Sequence, residues 1–375
     1  MPERSDGGCV LVYRDRLGAR SEVQFLRRMY VGFDRLAPVW LGCHRDDAAD
    51  TLGAPALILG RDGVRGALDR AAFKQFARLP SRPDLAALRP RLIHAHFGRG
   101  GALALPIARA LDIPLVVTYH GGDATKATHY RRRLVPTIYQ RRLPALLREA
   151  ALFHCVSDHI REVLARRGFP AAKLRVIHYG VEAGVLAAPM APMAPYLLFV
   201  GRLVEKKGVA HLIDALRLAR ADGVTAELIV IGDGPLADDL KRRAAPVGGV
   251  RFLGWLPFAE VARWMSGAAV LCTPSVTAVS GDEEGLPNVV LEAMSRGVPV
   301  IGSDHAGIGE AIANDENGVL VPPGMPRALA DAIVRLMGDP NRRRALGAAA
   351  RRTIAERFDA KTQSHLLEEA LLSIA

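Results

Sequence analysis

Along the chain, short unbroken apolar runs alternate with longer stretches in which apolar positions recur every three or four residues. The first runs, at 9–13, 37–41, 55–59, 91–97, 113–119, 152–157 and 174–180, are bounded by glycine, proline or charged residues. Continuous runs of this kind read as strands buried on both faces, the pattern of a parallel sheet covered by helices. A second series follows at 196–202, 226–233, 250–255, 297–301 and 318–322. Helical stretches begin at residue 209 and after Pro287, and occupy 327–337, 342–358 and 360–373. Between the two series lies 183–195, AGVLAAPMAPMAP, whose repeated Ala-Pro-Met has no period and reads as a linker. Strand, helix and strand repeated on both sides of a linker predict an α/β protein of two doubly wound domains facing across a cleft. We expect the first at 1–182 and the second at 196–359, with 360–375 crossing back onto the first so that the two are hinged.

At 375 residues, each domain is large enough to bury its own core. Half of the residues are hydrophobic and 6% aromatic, the make-up of a globular protein. Cys9, Cys43, Cys155 and Cys272 have spacings that suit neither a zinc site nor a disulfide framework, and read as reduced thiols of the cytoplasm. The run at 9–13 is too short for an export signal and follows a charged, Gly-rich leader. The longest candidate for a membrane span, 101–119, is interrupted by Arg109, Asp112 and two prolines. Charge adds one feature: residues 1–190 carry a net +13 and residues 191–375 a net −2. A basic half beside a nearly neutral one calls for an anionic partner. With no helix-turn-helix or aromatic-interleaved RNA motif, nucleic acid is not expected. An anionic membrane surface or a phosphate-bearing acceptor fits better.

The candidate chemistry centres on 273–303, TPSVTAVSGDEEGLPNVVLEAMSRGVPVIGS. Here Glu284 and Glu292 are separated by seven residues, with Gly285, Leu286 and Pro287 directly after the first. Pro287 is pre-set for the first position of a helix, so Glu284 falls in the loop before it and Glu292 about one and a half turns in. Free N–H groups and the helix dipole favour an anionic or hydroxyl-rich ligand here, and two carboxylates can accept hydrogen bonds from two sugar rings. A plainer reading pairs Glu292 with Arg296 at i+4, for ~0.3–0.5 kcal/mol. Against it, Val289, Val290, Leu291, Ala293 and Met294 surround Glu292 with apolar neighbours.

Other motifs surround this one. Gly201-Arg202-Leu203-Val204-Glu205-Lys206-Lys207-Gly208 joins a strand to a helix and sets Arg202 and Lys207 to clamp a diphosphate, with Lys206 an exposed neighbour. Ile93-His94-Ala95-His96-Phe97-Gly98 puts two histidines on one strand face. That pair admits the metal site of a metal-dependent hydrolase, although no further ligands follow at regular strand spacing. The strand 113–119 ends in His120-Gly121-Gly122-Asp123, at the edge where open parallel sheets bind ligands; His120 admits a structural and a catalytic reading. Residues 129–147 interleave Arg131, Arg132, Arg133, Arg141 and Arg142 with apolar residues. This suits an interfacial helix pair on anionic lipid, broken into short pieces by Pro136 and Pro144, or else a solvated basic face. Ser21-Glu22 opens the first helix, where Ser21 also serves as a plain N-cap. Trp255, after Gly254, is either core or a platform for a base.

Taken together, these motifs resemble family 4 of the glycosyltransferases, retaining enzymes of the GT-B fold with two Rossmann-like domains. They most resemble the bacterial branch that builds exopolysaccharide and capsule repeat units. The Glu284–Glu292 element, followed by Gly297-Val298-Pro299-Val300-Ile301, carries most of the likeness. The resemblance implies that Gly201, Arg202 and Lys207 bind the donor pyrophosphate, and that Gly254 and Trp255 cradle the nucleobase. It assigns Glu292 to the ribose, Glu284 to the sugar hydroxyls, Gly285, Leu286 and Pro287 to donor binding, and His120 to the far side of the transferred sugar. Ser21, Glu22, His94, His96 and Asp123 fall on the acceptor side. The implied reaction moves a hexosyl unit from a UDP- or GDP-sugar to a saccharide acceptor, in this branch carried on a lipid diphosphate. Charge developing on the diphosphate would be stabilised by the two cations. No metal and no cofactor are expected: the chain has no Asp-x-Asp, and the cations at 202 and 207 can do that work. A sugar-nucleotide epimerase of the same architecture and a hydrolase built on His94 and His96 stand as rivals.

Overall fold

The computed structural model describes residues 8–18, 23–60, 63–79, 85–131, 134–182 and 194–375. It divides into two compact units, Met1–Gly180 with Ala360–Ala375, and Val181–Asp359. The first ends two residues before the position expected from sequence. Val181 donates its N–H to the Phe358 carbonyl at 2.9 Å and pairs with Asp359, both in the second unit.

The first unit contains β1 (Cys9–Tyr13), β2 (Arg16–Leu17), β3 (Ala37–Gly42), β4 (His44–Arg45), β5 (Ala56–Ile58), β6 (Pro90–His96), β7 (Leu115–Tyr119), β8 (Leu152–Cys155) and β9 (Leu174–Val176). Seven of these form a parallel sheet in the order β5-β3-β1-β6-β7-β8-β9, and β2 and β4 pair separately. The chain builds outward from β1 to β5, then restarts on the other side at β6, so the β1/β6 boundary is a topological switch point. Burial explains the unbroken apolar runs: every residue of β1 and β7 is buried because helices cover both faces. The last helix, Ala360–Leu372, belongs to this unit. Its Ser364 hydroxyl accepts from Gly32 N–H and donates to the Met29 carbonyl, both at 3.0 Å. Its Glu368 carboxylate, 3% exposed, accepts from the N–H groups of Asp34, Arg35 and Leu36.

The basic stretch at 129–147 differs from expectation. Pro144 does not break it: one helix runs through that residue from Ile138 to Glu149. A capping box between Thr137 and Gln140 secures its start, and Tyr139 and Leu146 are buried along it. These contacts outweigh the hydrogen bond that a proline forfeits. Arg142 is not part of a free basic face either, since its guanidinium donates to the Ala102 and Lys74 carbonyls at 2.9 and 3.0 Å. Arg132 and Arg133 lie outside the described residues.

The second unit contains β10 (Leu197–Val200), β11 (Leu228–Ile231), β12 (Val250–Gly254), β13 (Val270–Thr273), β14 (Val300–Ser303) and β15 (Val319–Val321). All are parallel, in the order β12-β11-β10-β13-β14-β15, with the switch point between β10 and β13. The reading of apolar runs passed over β13, although Val270, Leu271 and Cys272 are completely buried. The helices Val209–Ala221 and Pro326–Gly338 cover the core with Leu212, Ile213, Leu216, Leu329, Ile333 and Leu336.

Candidate functional site

In the second unit, the loops at the carboxyl ends of β10 and β13 flank the switch point, where open parallel sheets place ligands, and the loop after β11 lies beside them. The loop after β10 is held to the one after β11: Gly201 N–H donates to the Ile231 carbonyl and Leu203 N–H to that of Asp233, both at 2.9 Å. Two glycines make this packing possible. A Cβ on Gly232 would lie 1.9 Å from the Gly201 carbonyl oxygen, and one on Gly208 would lie 1.8 Å from that of Pro274. Gly208, with φ of 64°, also turns the chain into the helix that begins at Val209.

Onto this frame is laid the segment between β13 and the helix Asn288–Ser295. Val276 N–H donates to the Lys206 carbonyl at 2.8 Å, and Val279 N–H to the Glu205 carboxylate at 3.0 Å. Lys206 is therefore not the exposed neighbour that its sequence position implied. Its ammonium donates to Asp282 and to the Glu283 carbonyl, each at 3.0 Å, and lies 3.9 Å from Glu284. Lys207 points its ammonium at the same Glu284 carboxylate, 2.9 Å away. Glu284 is only 6% exposed. Burial raises its pKa, but Lys207 and Lys206 outweigh that and hold it below the ordinary glutamate value, so it is ionised at neutral pH.

The other expected residues of this unit are placed as follows. Arg202 is exposed. Gly285, Leu286 and Pro287 are buried beneath Glu284, and Pro287 is the N-cap of the helix, one position earlier than predicted. Glu292 is half-buried, and Arg296 donates to its backbone carbonyl at 2.8 Å. Trp255 is 49% exposed just beyond the end of β12, so it is not core. A cavity of about 460 Å³ opens nearby, lined by Val204, Glu205, Gly208, Leu236, Val276 and Pro323, and includes neither Lys207 nor Glu284 in its lining.

In the first unit, Phe97 and His120 are half-buried just beyond the carboxyl ends of β6 and β7. Phe97 adopts φ of 66° and ψ of 147°, a conformation that costs a non-glycine residue about 1–3 kcal/mol. Its ring lies 4.3 Å from that of His120, and the Arg14 guanidinium sits over it at 4.3 Å. Asp123 organises the turn. Its carboxylate accepts from His120 and Gly121 N–H at 3.0 Å and from Gly98 N–H at 3.1 Å. Burial raises its pKa, with the three backbone donors opposing.

The expectation that His94 and His96 line the acceptor side is revised. Both are completely buried, and every ring nitrogen has a partner. His94 Nδ1 and His96 Nε2 converge on the Tyr30 hydroxyl, at 2.8 and 2.7 Å, the position where a shared metal would have to sit. His94 Nε2 lies 2.6 Å from Thr118 Oγ1, and His96 Nδ1 lies 3.1 Å from His120 Nε2. Such a pair does not offer the open coordination that a metal-dependent hydrolase needs. Burial holds His94, His96 and His120 well below the ordinary histidine pKa and lowers that of His154 to about 4. Sequence reasoning missed Tyr30, Thr118, His154 and Tyr179 as partners of these rings. Ser21 and Glu22 lie outside the described residues.

Comparison with known proteins bears on this arrangement. A model of glycosyltransferase family 4 matches residues 38–184, and one of glycosyl transferases group 1 matches residues 194–339. The chain is 34% identical over 254 residues to the amylovoran biosynthesis glycosyltransferase AmsK of Erwinia amylovora, covering 64% of this chain and 60% of that one. It is 32% identical over 250 residues to the putative colanic acid biosynthesis glycosyltransferase WcaL of Escherichia coli, covering 64% and 59%. The chain thus spans about three fifths of the length of each of these relatives. A crystal structure of Anabaena HepE with UDP and glucose superposes with a TM-score of 0.76 at 21% identity, covering 98% of this chain and 99% of that one. This likeness establishes the GT-B fold. With these two models matching in succession, the chain carries a glycosyltransferase family 4 domain followed by a glycosyl transferases group 1 domain.

Proposed function

We propose that the protein is a retaining glycosyltransferase of exopolysaccharide or capsule synthesis. It moves a hexosyl unit from a UDP- or GDP-sugar to a saccharide acceptor carried on a lipid diphosphate. The observation that carries this reading is the Lys207–Glu284 pair, 2.9 Å apart at the switch point of the second unit. A nucleotide-sugar brings both a diphosphate and hydroxyl groups. Lys207 can turn from Glu284 to a phosphate oxygen while Glu284 takes a sugar hydroxyl, so each gives up one charge-assisted contact for another. In this reading Arg202 and Lys207 hold the diphosphate, Glu292 the ribose, Glu284 the sugar hydroxyls, and His120 contacts the same sugar. Rate comes from stabilising the negative charge that develops on the departing diphosphate while the acceptor is held in place.

No metal or cofactor has a part in this scheme, because the two cations supply the positive charge. We place the protein in the cytoplasm with its basic first half against anionic lipid. Among the described residues no helix is long and apolar enough to cross a membrane. The test is to incubate the protein with UDP- and GDP-hexoses and a lipid-diphosphate saccharide, then read the anomeric configuration of the product by NMR. Transfer with retention is expected. An inverted product would overturn the retaining assignment, and conversion of donor without acceptor would favour the epimerase.

A further inference from the structure

Five side chains run inward from His120 in a single hydrogen-bonded file, and one backbone carbonyl sets its direction. At the inner end, His154 Nε2 lies 2.8 Å from the Ile177 carbonyl oxygen. A carbonyl only accepts, so His154 carries its proton on Nε2 and its Nδ1 must accept. The partner of Nδ1 is Thr118 Oγ1 at 2.9 Å, which spends its one proton there. Thr118 must then accept from His94 Nε2, at 2.6 Å. His94 Nδ1 therefore accepts from the Tyr30 hydroxyl, which in turn accepts from His96 Nε2. His96 Nδ1 then accepts from His120 Nε2, at 3.1 Å, and His120 Nδ1 accepts from the Tyr179 hydroxyl.

We infer that His154, Thr118, His94, Tyr30, His96 and Tyr179 are positioning residues that lock His120 as the neutral Nε2–H tautomer with its ring fixed. The strands make this possible: His96 and Thr118 are in register, as are Thr118 and His154, so one sheet face presents His94, His96, Thr118 and His154, and Tyr30 joins the two histidines of β6 from outside the sheet. The inner end is closed, because the Ile177 carbonyl can only accept. A second proton on His120 could enter only at Nδ1, where the Tyr179 hydroxyl already donates. His120 is packed against Phe25, Phe97 and Tyr179. The titratable and charged groups facing it are His96, Tyr179, Asp123, Arg14, His94 and His154. Asp123 reaches it through the backbone N–H and leaves the ring to the file.

The consequence for catalysis rests on the proposed function. A glycosyl group leaving its diphosphate develops positive charge at the sugar, as in other glycosyl transfers. An imidazolium beside it would oppose that charge, and a locked neutral ring does not. Cutting the file should let His120 carry its hydrogen on Nδ1 in part of the population and lower kcat in proportion, with KM for the donor little changed.

The test does not need substrate. Long-range ¹⁵N–¹H correlation of the full-length protein at neutral pH reads which nitrogen of each imidazole carries hydrogen. His94, His96, His120 and His154 are expected to be protonated on Nε2 alone. An Nδ1–H or a doubly protonated ring at any of the four would overturn the lock. Thr118→Val should give His96 and His120 mixed tautomers, and Thr118→Ser should restore one. If Thr118→Val does not fold, the wild-type spectrum and Thr118→Ser still decide. Unchanged tautomers in a folded Thr118→Val would also overturn the lock. Correct tautomers in a protein that transfers no sugar would contradict the proposed function and leave the lock standing.

Discussion

Replacing Lys207 by methionine removes the nearer of the two cations that hold the buried carboxylate of Glu284. At an effective dielectric constant of about 20, a contact of 2.9 Å corresponds to a gross attraction of about 6 kcal/mol, and the 3.9 Å contact of Lys206 to about 4 kcal/mol. Stranding one partner of a buried pair costs ~3–5 kcal/mol. Because Lys206 remains, the loss for Lys207→Met should lie near the lower end, at about 3 kcal/mol. Glu284→Gln should cost less, about 1.5 kcal/mol, because the side chain of Lys207 is 17% exposed and can reach water. The pH dependence follows from the same pair. In the wild type the Glu284 pKa is depressed, so its stabilisation is present above the unfolded value of about 4.3 and is lost as pH falls through the folded value. In Lys207→Met, burial meets only Lys206, and the pKa rises. The mutant is then relieved by protonation as pH falls, so the gap from wild type is widest at pH 7 and narrows towards pH 4. Urea unfolding followed by tryptophan fluorescence reads this, since Trp255 and Trp264 both lie in the second unit. A loss below about 1 kcal/mol, or a gap that does not change with pH, would refute the reasoning.

Three further outcomes are expected. Glu368→Ala strands three backbone donors at Asp34, Arg35 and Leu36 and should cost about 3 kcal/mol or more, exposing the helix Ala360–Leu372 to proteolysis; an unchanged digestion pattern would count against that anchor. Gly208→Ala places a Cβ 1.8 Å from the Pro274 carbonyl at a positive φ and should cost more than 3 kcal/mol or prevent folding, as thermal melting will show. Adding EDTA should leave both nucleotide binding and sugar transfer intact, and a large loss of either would remove the metal-free scheme.

The two doubly wound sheets were legible because parallel strands buried on both faces leave unbroken apolar runs, as at 9–13 and 113–119. β13 is hard to read from sequence because its apolar run is only four residues long and stops at Thr273-Pro274. The helix runs through Pro144 for a different reason: its capping box, Thr137 to Gln140, is local and was there to be seen, but the burial of Tyr139 and Leu146 is tertiary packing that local sequence does not register. At the candidate site, local spacing pointed to Glu284 and Lys207, which lie 2.9 Å apart, while His120 was singled out by the family resemblance. Local spacing could not identify Tyr30, which meets His94 and His96 across more than sixty residues of chain. Lys206 was read as a bystander because two adjacent lysines look alike in sequence, yet one holds the acidic loop and the other faces its carboxylate.

The central claim is that the second unit binds a nucleotide-sugar through the elements around Lys207, Glu284 and Glu292. The most direct measurement is a thermal-shift titration of the protein with UDP, GDP and their hexose conjugates, with Glu292→Ala alongside. A ligand at 100 times its dissociation constant adds about 2.7 kcal/mol to the stability of the state it binds. The account predicts that one nucleotide class raises the melting temperature of the wild type and not that of Glu292→Ala. Stabilisation by none of these ligands, or equal stabilisation of both proteins, would contradict it.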